Sequence, residues 1–191
     1  MNNNSIIKTH FILLLTIGII LTVSLSAQKK TQFEFGKDHT FKIAQFTDIH
    51  WNNNSPNCFK TTETIKYVLA TEKPDLAVLT GDIVTAVPAM EGWLAVSKIF
   101  SDAKVPWTVT LGNHDAEPGI TRERIFELLG SKPYFSGSKG SELSGCGNHT
   151  ISIKSSDGKS LAAVIYCMDS NAYPENIETG SYDWIRFDQI E

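Results

Sequence analysis

The sequence predicts an α/β fold built on a substantially parallel sheet. Apolar runs of strand length at residues 41–46, 76–79 and 105–111 alternate with segments of helical periodicity, which gives strand, helix, strand, helix, strand. Each run is followed directly by a polar stretch that contains aspartate or asparagine. Successive polar stretches lie roughly 30 residues apart, the length of one βαβ unit.

Taken in order, residues 33–40 are polar and mixed and read as a lead-in. The first strand, 41–46, runs into Thr47-Asp48-Ile49-His50-Trp51 and an asparagine-rich loop as far as Asn57. A helix fits 59–71, with Ile65, Val68 and Leu69 on one face, and Pro74 ends it. Residues 76–79 are continuously apolar, as a strand buried on both faces requires, and lead into Thr80-Gly81-Asp82. A second helix fits 89–101, with Trp93, Val96 and Phe100 at helical spacing. The central strand, 105–111, ends where Gly112 lets the backbone turn sharply. Thr121 caps a short helix that reaches Leu129 and stops at Gly130. The remainder changes character. Residues 134–147 are rich in Gly and Ser. Residues 149–154 and 161–168 read as two strands joined by Ser155-Ser156-Asp157-Gly158, a hairpin signal, and residues 182–185 read as a helical start.

The chain has 191 residues, 41% of them hydrophobic, and a formal charge of −4, the figures of an ordinary globular protein of about one domain. Mild acidity and the lack of a basic run give no indication of nucleic-acid binding. Residues 1–27 are set apart. Lys8 precedes an apolar run from Phe11 to Leu25, and small residues close it at Ser24, Ser26 and Ala27. That order is expected of a signal peptide cleaved after Ala27, so the mature chain, 28–191, is secreted or periplasmic and free of the membrane; an uncleaved anchor is the alternative. Export would place Cys58, Cys146 and Cys167 in an oxidising compartment, where three thiols leave at least one unpaired within the chain. Cys167, in a strand-like run, reads as core.

In a parallel sheet the C-terminal ends of the strands share one edge, so Asp48 and His50, Asp82, and Asn113 with His114 are expected to meet there. Asp48 and His50 are separated by one residue and in extended backbone would point the same way, able to grip one ion. Asp82 has two oxygens and can bridge two ions. Asn113 adds an oxygen ligand without charge. Carboxylate, imidazole and amide donors suit Fe, Mn, Zn or Mg-type ions. His114 is left to protonate a leaving oxygen or stabilise phosphoryl charge. Asp115 offers a carboxylate that could orient either neighbour.

Asp48-Ile49-His50, Gly81-Asp82 and Gly112-Asn113-His114-Asp115 resemble the first three motifs of the calcineurin-like metallophosphoesterases. The segments 166–170 and 182–185, with Gln189, resemble the purple-acid-phosphatase-like branch found in plants and fungi. The resemblance implies a layered β-sandwich flanked by helices (α-β-β-α) and a dinuclear centre of Fe, Mn or Zn. By it, Asp48 and His50 bind the first ion, Asp82 bridges, Asn113 binds the second, and His114 is the catalytic histidine. The substrate implied is a phosphate ester of unspecified identity. Two departures stand out. Thr85 occupies the place where protein serine/threonine phosphatases carry an aspartate, and true purple acid phosphatases a tyrosine ligand, so His114 lacks that acidic partner. The later lone His and Gly-His-x-His motifs have no match in the sequence. His149, entering a strand, reads as a strand residue. The expectation is therefore an N-terminal part of a longer phosphoesterase, its C-terminal strands missing, which alone holds about one ion, needs the missing C-terminal segment for a full site, or is an inactive remnant.

Overall fold

The computed structural model describes residues 31–140 and 142–191. The expected signal peptide and its cleavage site lie outside that range. No helix among the described residues is long and apolar enough to cross a membrane.

Two three-stranded sheets form the centre. The first contains β2 (Ile43–Phe46), β3 (Leu76–Thr80) and β4 (Trp107–Thr110), in that order and all parallel. The second contains β1 (Phe33–Glu34), β5 (His149–Lys154) and β6 (Leu161–Cys167); β1 runs parallel to β5, and β5 and β6 form the expected antiparallel hairpin. The fold class read from the sequence is thus borne out. The lead-in contains a strand the sequence reading missed, because two residues are too few to set up an alternation and Phe33 gains its place only by pairing with Ile153.

The connections in the first sheet are α1 (Asn57–Glu72) and α2 (Ala89–Ala103), each ending at a lysine in left-handed conformation, Lys73 and Lys104. After β4 a 3-10 turn, His114–Ala116, leads to α3 (Arg122–Gly130). Thr121 caps α3 as expected, accepting the Arg124 N–H on its side chain. The helical start read at 182–185 is irregular chain. The local turn is a 3-10 helix at Phe187–Gln189, because Asn171 Nδ2 and Gln189 Nε2 bind backbone carbonyls (of Trp184 and Asp169) and tie the segment to the preceding loop.

Side-chain alternation along β3 and β4 divides two cores. Ala77, Leu79, Trp107 and Val109 face the helices and pack with Ile65, Leu69, Val96, Phe100 and the α3 residues Ile125 and Leu129. Phe100 stacks on Trp107 at 5.3 Å between centroids, and the Phe135 ring also lies against Trp107, at 4.8 Å. Leu76 and Val78 face the second sheet and pack with Phe33, Ile151, Ile153 and Cys167. His149 joins the two sheets through a 2.7 Å hydrogen bond to Thr108 Oγ1, which places it as the strand residue it was read to be. The outward face of the second sheet is open among the described residues, with Tyr166 71% and Leu161 61% exposed, and Ile43 on β2 is 45% exposed. Exposed apolar side chains thus lie on both sheets among the described residues. Cys58, Cys146 and Cys167 are all free thiols; burial pushes Cys146 and Cys167 up to about 11, so both are inert core groups.

Candidate metal centre

The three polar stretches meet at the C-terminal ends of β2, β3 and β4, and backbone hydrogen bonds explain how. The pairing of β2 with β3 continues past both strands. Asp48 N–H donates to Gly81 O, His50 N–H to Asp82 O, and Trp51 N–H to Ile83 O, at 2.8–3.1 Å. The first and second stretches therefore run side by side. The third is fastened by Asp115, which is fully buried. Its Oδ2 accepts the N–H groups of Asp82 and Gly112, and its Oδ1 those of Ile83 and Val84, at 2.8–3.0 Å. Burial pushes the Asp115 carboxyl up, while the N–H groups of Val84, Gly112 and Ile83 hold it down. Asp115 was expected to orient Asn113 or His114. It orients the backbone under Asp82 instead, because a buried carboxylate needs several donors and the turn after β3 presents three.

Glycine is required at the crossing of these stretches. A Cβ on Gly112 would overlap Asp82 Oδ1 and lie 2.5 Å from Asp82 N, and Gly81 has φ +90° with Gly112 Cα 2.9 Å from where its Cβ would be.

Asp48, His50 and Asp82 each bring one donor atom within 4.8 Å of the others. They do not reach this arrangement by the extended backbone that their spacing suggested. Asp48, His50 and Asp82 have φ +51°, +45° and +53°, in the left-handed region, each at a cost of about 1 kcal/mol or more. Local strain gathered on three converging donors is what a functional site produces. His50 Nε2 stands 3.8 Å from Asp48 Oδ1, and the Thr47 hydroxyl donates to Asp48 Oδ2. No lysine or arginine pairs with Asp48 or Asp82 among the described ion pairs, so two adjacent carboxylates lack a cation. Oxygen and imidazole donors at this spacing fit a metal ion of the Fe, Mn or Zn kind.

Asn113 and His114 border this cluster. His114 N–H donates to Asp82 Oδ1 at 3.1 Å, and the His114 and His50 rings lie 5.9 Å apart. His114 Nδ1 is 2.7 Å from Glu117 Oε2. Asn113 Nδ2 donates to the Tyr173 hydroxyl at 2.9 Å, and that hydroxyl donates to Glu117 Oε1 at 2.6 Å. His114 therefore does have an acidic partner, though not at Thr85. The hydrogen bond to Glu117 pushes His114 up, and the bonds from Tyr173 and His114 pull Glu117 down. Glu117 lies three residues after His114, a spacing that brings side chains together on one helical turn and was legible in the sequence. Tyr173 carried no such signal.

A profile of the calcineurin-like phosphoesterase family matches residues 41–188. The chain belongs to the calcineurin-like phosphoesterase family. Members carry a dinuclear metal centre. The chain is 27% identical to "Probable inactive purple acid phosphatase 29" of Arabidopsis thaliana over 87% of its own length and 49% of that protein. To "Probable inactive purple acid phosphatase 14" of the same plant it is 27% identical, over 84% of its length and 47% of the relative's. To "Phosphatase DCR2" of Saccharomyces cerevisiae it is 30% identical, over 87% of its length and 32% of the relative's. It thus spans about half the length of the plant relatives and about a third of the yeast one.

Arg122 is a further residue beside the candidate centre that sequence reading missed. Its guanidinium is 13% exposed and binds Asp169 Oδ1 at 2.9 Å, Gly112 O at 2.7 Å and Asn171 O at 3.2 Å. It joins the turn before Asn113 to the loop that delivers Tyr173. A cleft of about 690 Å³ opens beside it, lined in part by Tyr173, Trp184 and Arg186. The Asp48–His50–Asp82 donors do not line that cleft, so it adjoins the candidate centre without containing it.

Proposed function

We propose that the chain carries the metal-binding part of a phosphoesterase that hydrolyses phosphate esters outside the cytoplasm. The observation that carries this is the convergence of the Asp48, His50 and Asp82 donors beside the His114 ring. Asp48, His50 and Asp82 would hold one ion, and Asp82 with Asn113 would reach a second. Bound there, the ions would polarise the phosphoryl group and lower the pKa of a water. His114 donates a proton at Nε2 to the departing oxygen, or a hydrogen bond to a phosphoryl oxygen. Asp115 holds the Asp82 turn in place, and Arg122 holds the carbonyl of Gly112. The signal-like order of residues 1–27 supports export, with 28–191 as the phosphoesterase domain.

A second reading is a metal-binding protein that does not catalyse, or does so only with a further segment. Two facts favour it. Three plant relatives bear the word inactive in their names, and the donors toward a second ion among these residues are one shared carboxylate and one amide.

Titration with Mn²⁺ or Zn²⁺, followed by hydrolysis of an aryl phosphate, tests both. Binding that is lost in Asp82→Asn, together with turnover lost in His114→Ala, supports the phosphoesterase. Binding without turnover supports the second reading. A chain that binds neither ion overturns both.

A further inference from the structure

The site as described leaves open what fixes the His114 ring and the Asn113 amide, both of which must present one atom and not the other. The hydrogen bonds around Glu117 settle both orientations. An ionised carboxylate only accepts. The ring nitrogen 2.7 Å from Glu117 Oε2, His114 Nδ1, must then carry a proton, which leaves Nε2 as the ring atom for a substrate. The Tyr173 hydroxyl, 2.6 Å from Glu117 Oε1, must donate to it and so offers only a lone pair to Asn113. Asn113 must answer with its NH₂ group, at 2.9 Å, which turns Oδ1 away from Tyr173. Oδ1 is the amide atom able to ligate a cation.

We propose that Glu117 and Tyr173 are the positioning residues of this site, a hydrogen-bonded chain in which one carboxylate sets His114 Nε2 toward substrate and Asn113 Oδ1 toward metal. The proposal rests on the phosphoesterase reading for its catalytic meaning, and on geometry alone for the network itself. Because Asn113 and His114 are adjacent in sequence, the bonds close a ring through Tyr173 and Glu117, and each bond restrains the others. Glu117 is fixed from two sides, by the 3-10 turn it follows and by a residue 56 positions away. Tyr173 is itself held. Its ring stacks on Tyr182 at 6.3 Å, Asp183 N–H donates to Ala172 O, and the Arg122–Asp169 pair secures Asn171 just before it.

The test uses the full chain labelled with ¹⁵N in histidine rings and asparagine side chains. Glu117 and Tyr173 are surface groups, so Glu117→Gln and Tyr173→Phe are expected to fold, which the tryptophan signals check. In the wild type the His114 Nδ1–H signal is downfield and a single tautomer is present. Glu117→Gln removes that signal and shifts the Asn113 NH₂ pair; Tyr173→Phe shifts the Asn113 pair and keeps the ring signal. Glu117→Asp restores the ring signal in part. With Mn²⁺ present, Glu117→Gln lowers kcat for an alkyl phosphate on the order of 10²-fold, with KM nearly unchanged, and for an activated aryl phosphate less, because a good leaving group needs little protonation. Ring and amide signals that ignore Glu117→Gln overturn the proposal, whatever the activity. A wild type with the ring signal and no hydrolysis supports the positioning and counts against the phosphoesterase reading.

Discussion

Asp115 Oδ2 accepts the backbone N–H of Asp82 at 3.0 Å across 33 residues of chain. This bond ties the stretch after β4 to the stretch after β3. With the Ile83 and Val84 N–H groups on Oδ1, it makes the Asp82 turn a consequence of where Asp115 sits.

Asp115→Asn should therefore cost about 3 kcal/mol, since an amide offers one acceptor oxygen and sets an NH₂ group against backbone donors. Thermal unfolding should show Tm lower by roughly 6–12 °C. Metal affinity should fall as well, although Asp115 is not among the proposed ligands. Unchanged stability would mean that the four bonds are replaced by water.

The ligand count sets an expectation for stoichiometry. On the proposed reading Asp48, His50 and Asp82 would serve the first ion, and among the described residues Asp82 and Asn113 the second. Elemental analysis of the purified chain should find at most about one tightly held ion. Asp82→Asn should weaken binding more than Asn113→Ala, because the carboxylate is shared. Two tightly bound ions per chain would show that a further residue takes part; His39 and His149 are the other described imidazoles, and both ring nitrogens of His149 are already hydrogen-bonded, to Gly147 O and Thr108 Oγ1.

Acidity around His114 should follow Glu117. The bond to Glu117 raises His114, while Glu117 is lowered first by the Tyr173 hydroxyl and then by His114. The His114 contribution to stability is full below its unfolded value near 6.5 and is lost as pH rises through the higher folded value. The Glu117 contribution is present above its unfolded value near 4.5 and is lost as pH falls through the lower folded value. The pair is thus fully formed between those two limits. In an NMR titration of the His114 ring, Glu117→Gln should bring the midpoint down toward the ordinary histidine value; a midpoint that stays in place would separate the two groups.

Arg122→Met should leave Asp169, 1% exposed, without its cation, and cost about 3–5 kcal/mol. Denaturant unfolding reads this directly. The same substitution should loosen the loop that carries Tyr173, and amide exchange at Asn171–Tyr173 should speed up. A change of under about 1 kcal/mol would mean that the Cys146 and Asn171 N–H groups on Asp169 suffice.

N-terminal sequencing of protein exported by cells should begin near Gln28. A chain still starting at Met1 and held in the membrane would show an anchor in place of a cleaved signal.

Residues that act within a few positions of themselves were legible in the sequence. The three apolar runs became β2, β3 and β4 because local hydrophobic pattern and strand length do not depend on partners. Asp48, His50, Asp82, Asn113 and His114 could be named because each follows a strand, and a parallel sheet has only one C-terminal edge. The Thr121 cap and the hairpin at Ser155–Gly158 were equally local. What only the tertiary structure decided depends on distant chain. The strand at Phe33–Glu34 exists through its pairing with β5. The left-handed backbone at Asp48, His50 and Asp82 exists because the two stretches hydrogen-bond side by side past their strands. The direction of Asp115, the grip of Arg122 and the arrival of Tyr173 beside Asn113 and Glu117 join residues 10 to 60 positions apart. Such contacts leave no period or spacing in the sequence. They follow from which surfaces the packed sheets and helices bring together, so the candidate donors were readable in one dimension and their orientation was not.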